Sequence, residues 1–377
     1  MFHRAATFTL EVNERLLTGG WELKDATPSN LLFDGPRPIF VDHLSPSPRQ
    51  PGQMGWRAYG QFIRTFLIPL CLHRLRGLPL AWIHLARRDG VSPEEASLQM
   101  GMADRLRPSV LGLVTLPALL TRRQKRRPSP GMRIWKNGDE PTGRTITARL
   151  LKGLHRRLRR WAPPVADATL WSQYDQAGES YTPAALEAKE TFISQALESC
   201  RPKAVLDLGC NTGRYSRLAA CAGARVVAVD GDPACIDHLW QQALRENLDI
   251  LPLVMDLGRP SPALGWEYGE EASFLERSAG RFDMVFALAL IHHLLVRERV
   301  PLTGILAHLA QQTTRWAIIE WVSPKDPQFE RLAGPDQHLY ESLSAVGFEA
   351  ALAPFFKIHR TFPITGVGRT LYLLEKL

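Results

Sequence analysis

Three aspartates stand at the ends of three apolar runs. Asp207 sits at the end of AVLDL, Asp230 at the end of RVVAVD, and Asp256 at the end of ILPLVMDL. A carboxylate so placed can take both hydroxyls of a ribose or accept from an exocyclic amine, and it attracts a cation. The turn after the first run reads Asp207-Leu-Gly209-Cys210-Asn211-Thr-Gly213. Small residues let a ligand approach the backbone, and the helix that follows offers free N–H groups at its start. A dinucleotide cradle is usually G-x-G-x-x-G, whose third glycine lets helix and strand pack closely. Here Gly209 and Gly213 are four apart and Arg214 to Ser216 continue with bulk, a poorer cradle for a pyrophosphate. One such acid alone reads as the cap of a following helix. Three of them in register with a glycine turn point to a ligand at the carboxyl edge of a parallel sheet.

Two histidines, His292 and His293, follow a fourth apolar run, RFDMVFALAL. Imidazole titrates near neutrality, so either can serve as general base for an oxygen or nitrogen acceptor. The alternative is a structural histidine at a helix start. Glu320, near the end of RWAIIEWV, is a weaker candidate. No metal is expected. The five cysteines (Cys71, Cys200, Cys210, Cys221 and Cys235) form no CxxC pair and match no zinc spacing. An odd, scattered set of this kind predicts free thiols in a reducing cytosol.

These residues need a scaffold. From residue 180 strands alternate with helical patterns. SYTPAALEAKETFISQALESC is an amphipathic helix with Thr182 as N-cap and Pro183 at its first position. The acid-bearing runs and RFDMVFALAL are strands. Between them TGRYSRLAACAG (ended by Gly223), PACIDHLWQQALRENL and LTGILAHLAQQT are helices, and RWAIIEWV is a fifth strand. This alternation predicts right-handed βαβ units on a parallel sheet. FEAALAPFFKIHR and RTLYLLEKL read as two more strands with too short a connection for a crossover helix, hence an antiparallel pair. The expected fold is α/β: a Rossmann-like, seven-stranded, mostly parallel sheet with a reversed C-terminal strand, plus an N-terminal, mainly helical accessory domain.

The glycine turn and its acids resemble the first motif of the class I S-adenosylmethionine-dependent methyltransferases, and the resemblance covers about residues 180–377. That motif is acid–x–Gly–x–Gly–x–Gly, and Asn211 stands here for the middle glycine. Asparagine is the next-best residue at positive φ. The resemblance implies S-adenosyl-L-methionine as cofactor. Asp207 and the turn Gly209, Cys210, Asn211 and Gly213 would hold its methionine end, Asp230 with Gly231 its ribose, and Asp256 with Leu257 its adenine. FDMVFALALIHHLL (282–295) is similar to the family's fourth motif, which adds Ala287 to the cofactor site. A sulfonium without phosphates suits an acid-rich turn better than NAD does. The implied activity is methyl transfer to an oxygen or nitrogen. The family's amide and exocyclic-amine methylases carry Asn/Asp-Pro-Pro-aromatic after strand four, where this chain has ALALIHHL. Covalent-cysteine carbon methylation is also disfavoured, because no cysteine lies beyond Cys235. The runner-up readings are an NAD-dependent Rossmann oxidoreductase and a non-catalytic kinase-like/methyltransferase-like scaffold.

The whole chain has 377 residues, 46 basic against 38 acidic, for a net charge of +8. That length suits two or three domains, and a mild excess of positive charge favours an anionic partner. The expected division is an accessory domain over 1–120, a basic linker or helix over 121–170, and the methyltransferase domain over 171–377. TRRQKRRPSPG (121–131) and LLKGLHRRLRRWAPP (150–164) bracket the Gly/Pro-rich stretch KNGDEPTG. In the second, Leu151, Leu154, Leu158 and Trp161 recur at helical spacing. This predicts a surface helix packed by its leucines, with a dock for RNA or an anionic membrane as the sharper alternative. No N-terminal run has signal-peptide length, and FLIPLCL and VLGLVTLPALL are too short to span a bilayer. The expectation is a cytoplasmic protein with a small-molecule, glycan, lipid or protein acceptor. Peripheral membrane contact stays open, and nucleic acid is not favoured.

Near the N-terminus, Asp25 and Asn30 are five apart and Asp42 follows twelve later. Kinases space a catalytic-loop Asp and Asn this way, ahead of a metal-binding Asp. Too few residues precede Asp25 for a glycine-rich loop and Lys–Glu pair, and a β-hairpin with Asp and Asn in its turns explains the pattern equally well. The stretch LKDA-x-x-x-N ahead of a methyltransferase domain looks like the methyltransferase-type proteins related to a rhizobial host-specific nodulation protein. On that resemblance the kinase-like segment is expected to be shortened at its N-terminus.

Overall fold

The computed structural model describes residues 1–124, 140–162 and 181–377. Most of the basic run 121–131, the stretch 136–139 and the expected boundary at 170/171 lie outside them. The chain divides into two compact units, Met1–Phe33 with Pro38–Val165, and Asp34–Arg37 with Ala166–Leu377.

The first unit is mainly helical. Its core gathers Leu10 of the helix Phe2–Thr18, Phe62, Phe66 and Leu67, and the apolar side of the helix Glu140–Arg160. Leu151, Leu154, Leu158 and Trp161 are all buried there, so the basic helix belongs to this core and is not a separate linker. It starts at Glu140, inside the stretch read as a Gly/Pro-rich connection. Gly143 lies where it passes the Gln53 carbonyl, and a Cβ there would come within 2.3 Å of that oxygen. The kinase-like spacing does turn work. Leu31–Asp34 and Arg37–Phe40 form a two-stranded hairpin. Asn30 accepts from the Thr27 hydroxyl and reaches the Asp25 carbonyl, while Asp42 accepts from the Leu44 N–H.

The second unit opens with α1 (Pro183–Cys200), whose Thr182 side chain accepts from the Ala185 N–H. There follow β1 (Ala204–Leu208), α2 (Arg214–Cys221), β2 (Arg225–Asp230), α3 (Pro233–Glu246), β3 (Ile250–Val254) and β4 (Phe282–Ala287). The rest is α4 (Ile291–Val296), α5 (Leu302–Gln312), β5 (Thr313–Val322), α6 (Ala345–Leu352), β6 (Phe356–Ile364) and β7 (Arg369–Lys376). The sheet runs β6-β7-β5-β4-β1-β2-β3. β5-β4-β1-β2-β3 are parallel, and β7 is antiparallel to both its neighbours. This is the expected seven-stranded, Rossmann-like sheet with its reversed strand inserted next to the edge.

Buried side chains line both faces, as a doubly covered parallel sheet requires. Two boundaries differ from the sequence reading. FEAALA is helical, because Ser344 caps α6 by accepting from Gly347 and the strand begins only at Phe356. ILPLVMDL stops pairing at Val254, so Asp256 stands two residues past the strand, on the loop.

Candidate active site

The strand order reverses between β1 and β4, and there the loops after β1 and β4 separate. A parallel sheet opens its ligand crevice at this point. A cavity of about 790 Å³ lies at that edge. Asp207, Gly209, Cys210, Asn211, Asp230, Gly231, Asp256, Leu257 and His293 all line it. Local sequence therefore brought nine of the twelve candidate residues to one place.

The turn is built by backbone geometry. Gly209 has φ +74 and Gly213 φ +82, conformations that cost an L side chain. Asn211 has φ +50, the conformation for which asparagine was expected to replace glycine. The Gly209 and Cys210 N–H groups both donate to the Val229 carbonyl, at 2.8 and 3.1 Å. The Asn211 N–H donates to Asp230 Oδ2 at 2.9 Å, and the Asp232 N–H to Asp230 Oδ1 at 2.8 Å. Asp230 thus ties the two loops together and still faces the cavity. Burial raises its carboxyl above the usual range, against the pull of those N–H donors.

Asp207 is fully enclosed. Burial raises its carboxyl to about 6, although the Ser216 hydroxyl donates to it at 2.5 Å; Asp230 nearby adds to the rise. Asp256 is half-exposed. It accepts from the Gly258 N–H at 2.9 Å and pairs with Arg259 at 3.2 Å, so part of its role is to shape its own loop.

Three candidates do not reach the cavity. Gly213 lies behind it, where a Cβ would sit 2.3 Å from Leu239 Cδ1, so its work is to let α2 approach α3. Ala287 is buried at the end of β4, and Leu288 to Leu290 line the wall in its place. His292 is 3% exposed and stacks on Phe329, with Nδ1 lacking a partner among the described residues. Adjacent residues on a helix point about 100° apart, so only one of the pair can face the cavity. His293 faces it. Burial lowers its pKa to about 4, and the nearby Arg297 and Arg369 cations add to the shift.

The sequence reading named Glu320 as a weaker candidate base but missed the polar cluster around it at the cavity wall. Lys189 of α1 donates to Glu320 at 2.6 Å and to the Tyr181 hydroxyl at 3.2 Å, and Tyr181 also donates to Glu320. Arg369 approaches Glu320 at 3.8 Å and pairs with Asp326 at 2.9 Å. Lys189 and Tyr181 line the cavity, while Glu320 is completely buried behind them. Glu320 is therefore the buried counter-ion of two cations. The readable signal was its position inside the apolar run WAIIEWV, since an isolated buried charge needs partners.

The cavity is rich in carboxylates: Asp207, Asp230, Asp232, Asp256 and Glu298 all line it. Of the cations that line it, Lys189 is bonded to Glu320 and Arg214 to Glu190, while Arg297 lies near His293. Residues 205–312 match the family model described as a methyltransferase domain. The C-terminal half carries a methyltransferase domain on a Rossmann-like sheet, and the activity this supports is S-adenosylmethionine-dependent methyl transfer. Over 99% of its length the chain is 28% identical to the nodulation protein NoeA of Rhizobium meliloti (strain 1021), covering 77% of that protein. It is 35% identical over 89 residues to a cypemycin N-terminal methyltransferase of Streptomyces sp, or 24% of this chain and 35% of that one. Among solved structures, the PH0226 protein of Pyrococcus horikoshii OT3 superposes on 54% of this chain and 99% of its own, at 18% identity and a TM-score of 0.39. No helix among the described residues is long and apolar enough to cross a membrane.

Proposed function

We propose that the protein methylates an oxygen or nitrogen atom of an acceptor seated beside His293, with the donor held along Asp207, Asp230 and Asp256. The observation that carries this reading is the single cavity onto which these acids, the Gly209–Asn211 turn and His293 all open. The cofactor supplies a methyl group on a cationic sulfur, and in-line displacement leaves that sulfur neutral. In this reading Asp207 and the turn backbone orient the methionine end, Asp230 and Gly231 the ribose, and Asp256 and Leu257 the adenine. Gly213 and Ala287 act from behind, by fixing how α2 and β4 pack. Such a site works mainly by positioning.

His293 is neutral at physiological pH, so its imidazole is in the form that can accept the acceptor's proton. Burial, aided by the nearby cations, disfavours the imidazolium, so the proton must be passed on quickly to solvent. His292, turned toward Phe329, takes no part. The acceptor is a small molecule, a glycan or lipid intermediate, or a protein side chain. Cypemycin's methyltransferase acts at an N-terminus by its name, which keeps a nitrogen acceptor in view.

Calorimetric titration with S-adenosylmethionine, S-adenosylhomocysteine, NAD and Mg-ATP tests the reading. The first two should bind and the others should not. Binding of NAD alone would return the oxidoreductase reading. Binding of Mg-ATP alone would move the site to Asp25, Asn30 and Asp42.

A further inference from the structure

We propose that the methyl acceptor is an anion, and that Arg297 binds its carboxylate or phosphoryl group while His293 faces the oxygen or nitrogen to be methylated. The proposal rests on the reading of the cavity given above and names the class of its acceptor.

Arg297 closes the last turn of α4, where its N–H donates to the His293 carbonyl at 2.9 Å. Residues four apart on a helix share one face, with Cβ atoms about 5–6 Å apart. Both residues line the cavity. An anionic group held by Arg297 therefore lies a few bonds from an atom beside His293. At about 790 Å³ the cavity is near the upper end of what one small ligand fills, which leaves room for an acceptor next to the donor.

The distribution of charge selects an anion. Lys189, Arg214 and Arg297 are the lining cations. Lys189 is held by Glu320 at 2.6 Å and Arg214 by Glu190 at 2.7 Å. The Arg297 guanidinium has no hydrogen bond or ion pair with any described residue. Its neighbour Glu298 is engaged elsewhere. That carboxylate meets Arg259 at 3.5 Å and packs on Gly258, where a Cβ would lie 2.7 Å from Oε2. Asp230, Asp232 and Asp256 follow β2 and β3, two and three strands from β4, or about 10–15 Å across the sheet. Asp207, on the adjacent strand, is enclosed and in this reading serves the cationic donor. Arginine binds carboxylate and phosphate alike through paired N–H donors.

The same pairing prepares the base. Arg297 and Arg369 both help to hold the His293 ring neutral, and Arg369 already has Asp326 at 2.9 Å. An anion on Arg297 cancels the other charge, so the ring takes a proton more readily once the acceptor is in place.

The probe is inorganic phosphate, titrated by calorimetry into the full chain saturated with S-adenosylhomocysteine, so that the donor's place is filled. Phosphate is expected to bind. Arg297→Met, which keeps length without charge, should bind it about tenfold or more weakly. Arg297 is exposed, so the variant should fold, and an unchanged thermal melt and S-adenosylhomocysteine affinity check that it does. Arg299→Met removes the same charge from a residue bonded to Asp336 at 2.6 Å, and should bind phosphate as the wild type does. Absence of phosphate binding overturns the proposal, as does equal binding by Arg297→Met or an equal loss in Arg299→Met. A neutral acceptor that Arg297→Met methylates as well as the wild type would overturn it too. If S-adenosylhomocysteine itself does not bind, the reading of the cavity fails first and the proposal falls with it.

Discussion

Replacing Asp207 by asparagine should make the protein more stable and a worse binder of its cofactor. The carboxyl is fully buried, and burial lifts it from its ordinary 3.8 to about 6. At neutral pH it is held ionised against that burial, at a cost of about 3 kcal/mol. Asparagine keeps the shape and an acceptor oxygen for the Ser216 hydroxyl, and it removes the charge. The folded-state pKa is raised, so the stability it contributes is complete below about 3.8 and is lost as pH rises through about 6. Asp207→Asn should therefore match the wild type near pH 4 and exceed it by up to about 3 kcal/mol at pH 7.

Binding goes the other way. A unit charge roughly 5 Å from a cationic group contributes about 3 kcal/mol at an effective dielectric near 20, or about a hundredfold in affinity. Screening by water that enters the cavity reduces this toward about tenfold. In the wild type the same charge disappears on acidification, so affinity for S-adenosylmethionine should fall as pH drops below about 6. Chemical denaturation at several pH values gives the stability, and calorimetry over the same range gives the affinity. Flat wild-type affinity between pH 5 and 8, with an Asp207→Asn variant neither stabilised nor weakened, would refute the assignment of a buried, ionised Asp207 to the donor.

Asp230→Ala should abolish measurable cofactor binding in calorimetry, because it removes the proposed ribose acceptor and frees the Asn211 and Asp232 N–H groups it now holds; unchanged affinity would sink the site. Gly213→Ala should lower stability by about 1–3 kcal/mol in a urea titration, since its Cβ would meet Leu239 in a left-handed conformation. Lys189→Ala leaves Glu320 buried with the more distant Arg369, and should cost about 3–5 kcal/mol in thermal unfolding, while Lys189→Ala with Glu320→Gln should recover much of it. His293→Ala should cut turnover by about a hundredfold on the acceptor once found, with cofactor affinity retained; normal turnover would remove His293 as base.

The sequence by itself determined what depends on neighbours along the chain. Strand and helix periods, the Thr182 cap, the positive-φ turn and the acids at strand ends are local, so AVLDLGCNTG and RVVAVD were legible as the wall of one crevice. Alternating strands and helices led to a parallel sheet, and the short link before RTLYLLEKL led to its reversed strand. The same local reasoning failed at FEAALA, where small apolar residues suit either period and only the Ser344 cap decided for a helix.

Tertiary structure decided which of those residues meet. His292 and His293 are equivalent in sequence, and only the packing of α4 against Phe329 turned one inward and the other to the cavity. Gly213, which reads as a ligand-contacting glycine, serves the approach of α2 to α3. Lys189, Tyr181, Glu320 and Arg369 lie far apart in the chain, and no spacing rule joins them; they cluster because a charge enclosed by the sheet must find its partner from another element. The leucines at 151–158 and at 116–120 share one helical spacing. The first set is buried and the second exposed, because contact with the rest of the fold, and not periodicity, decides which apolar face is covered.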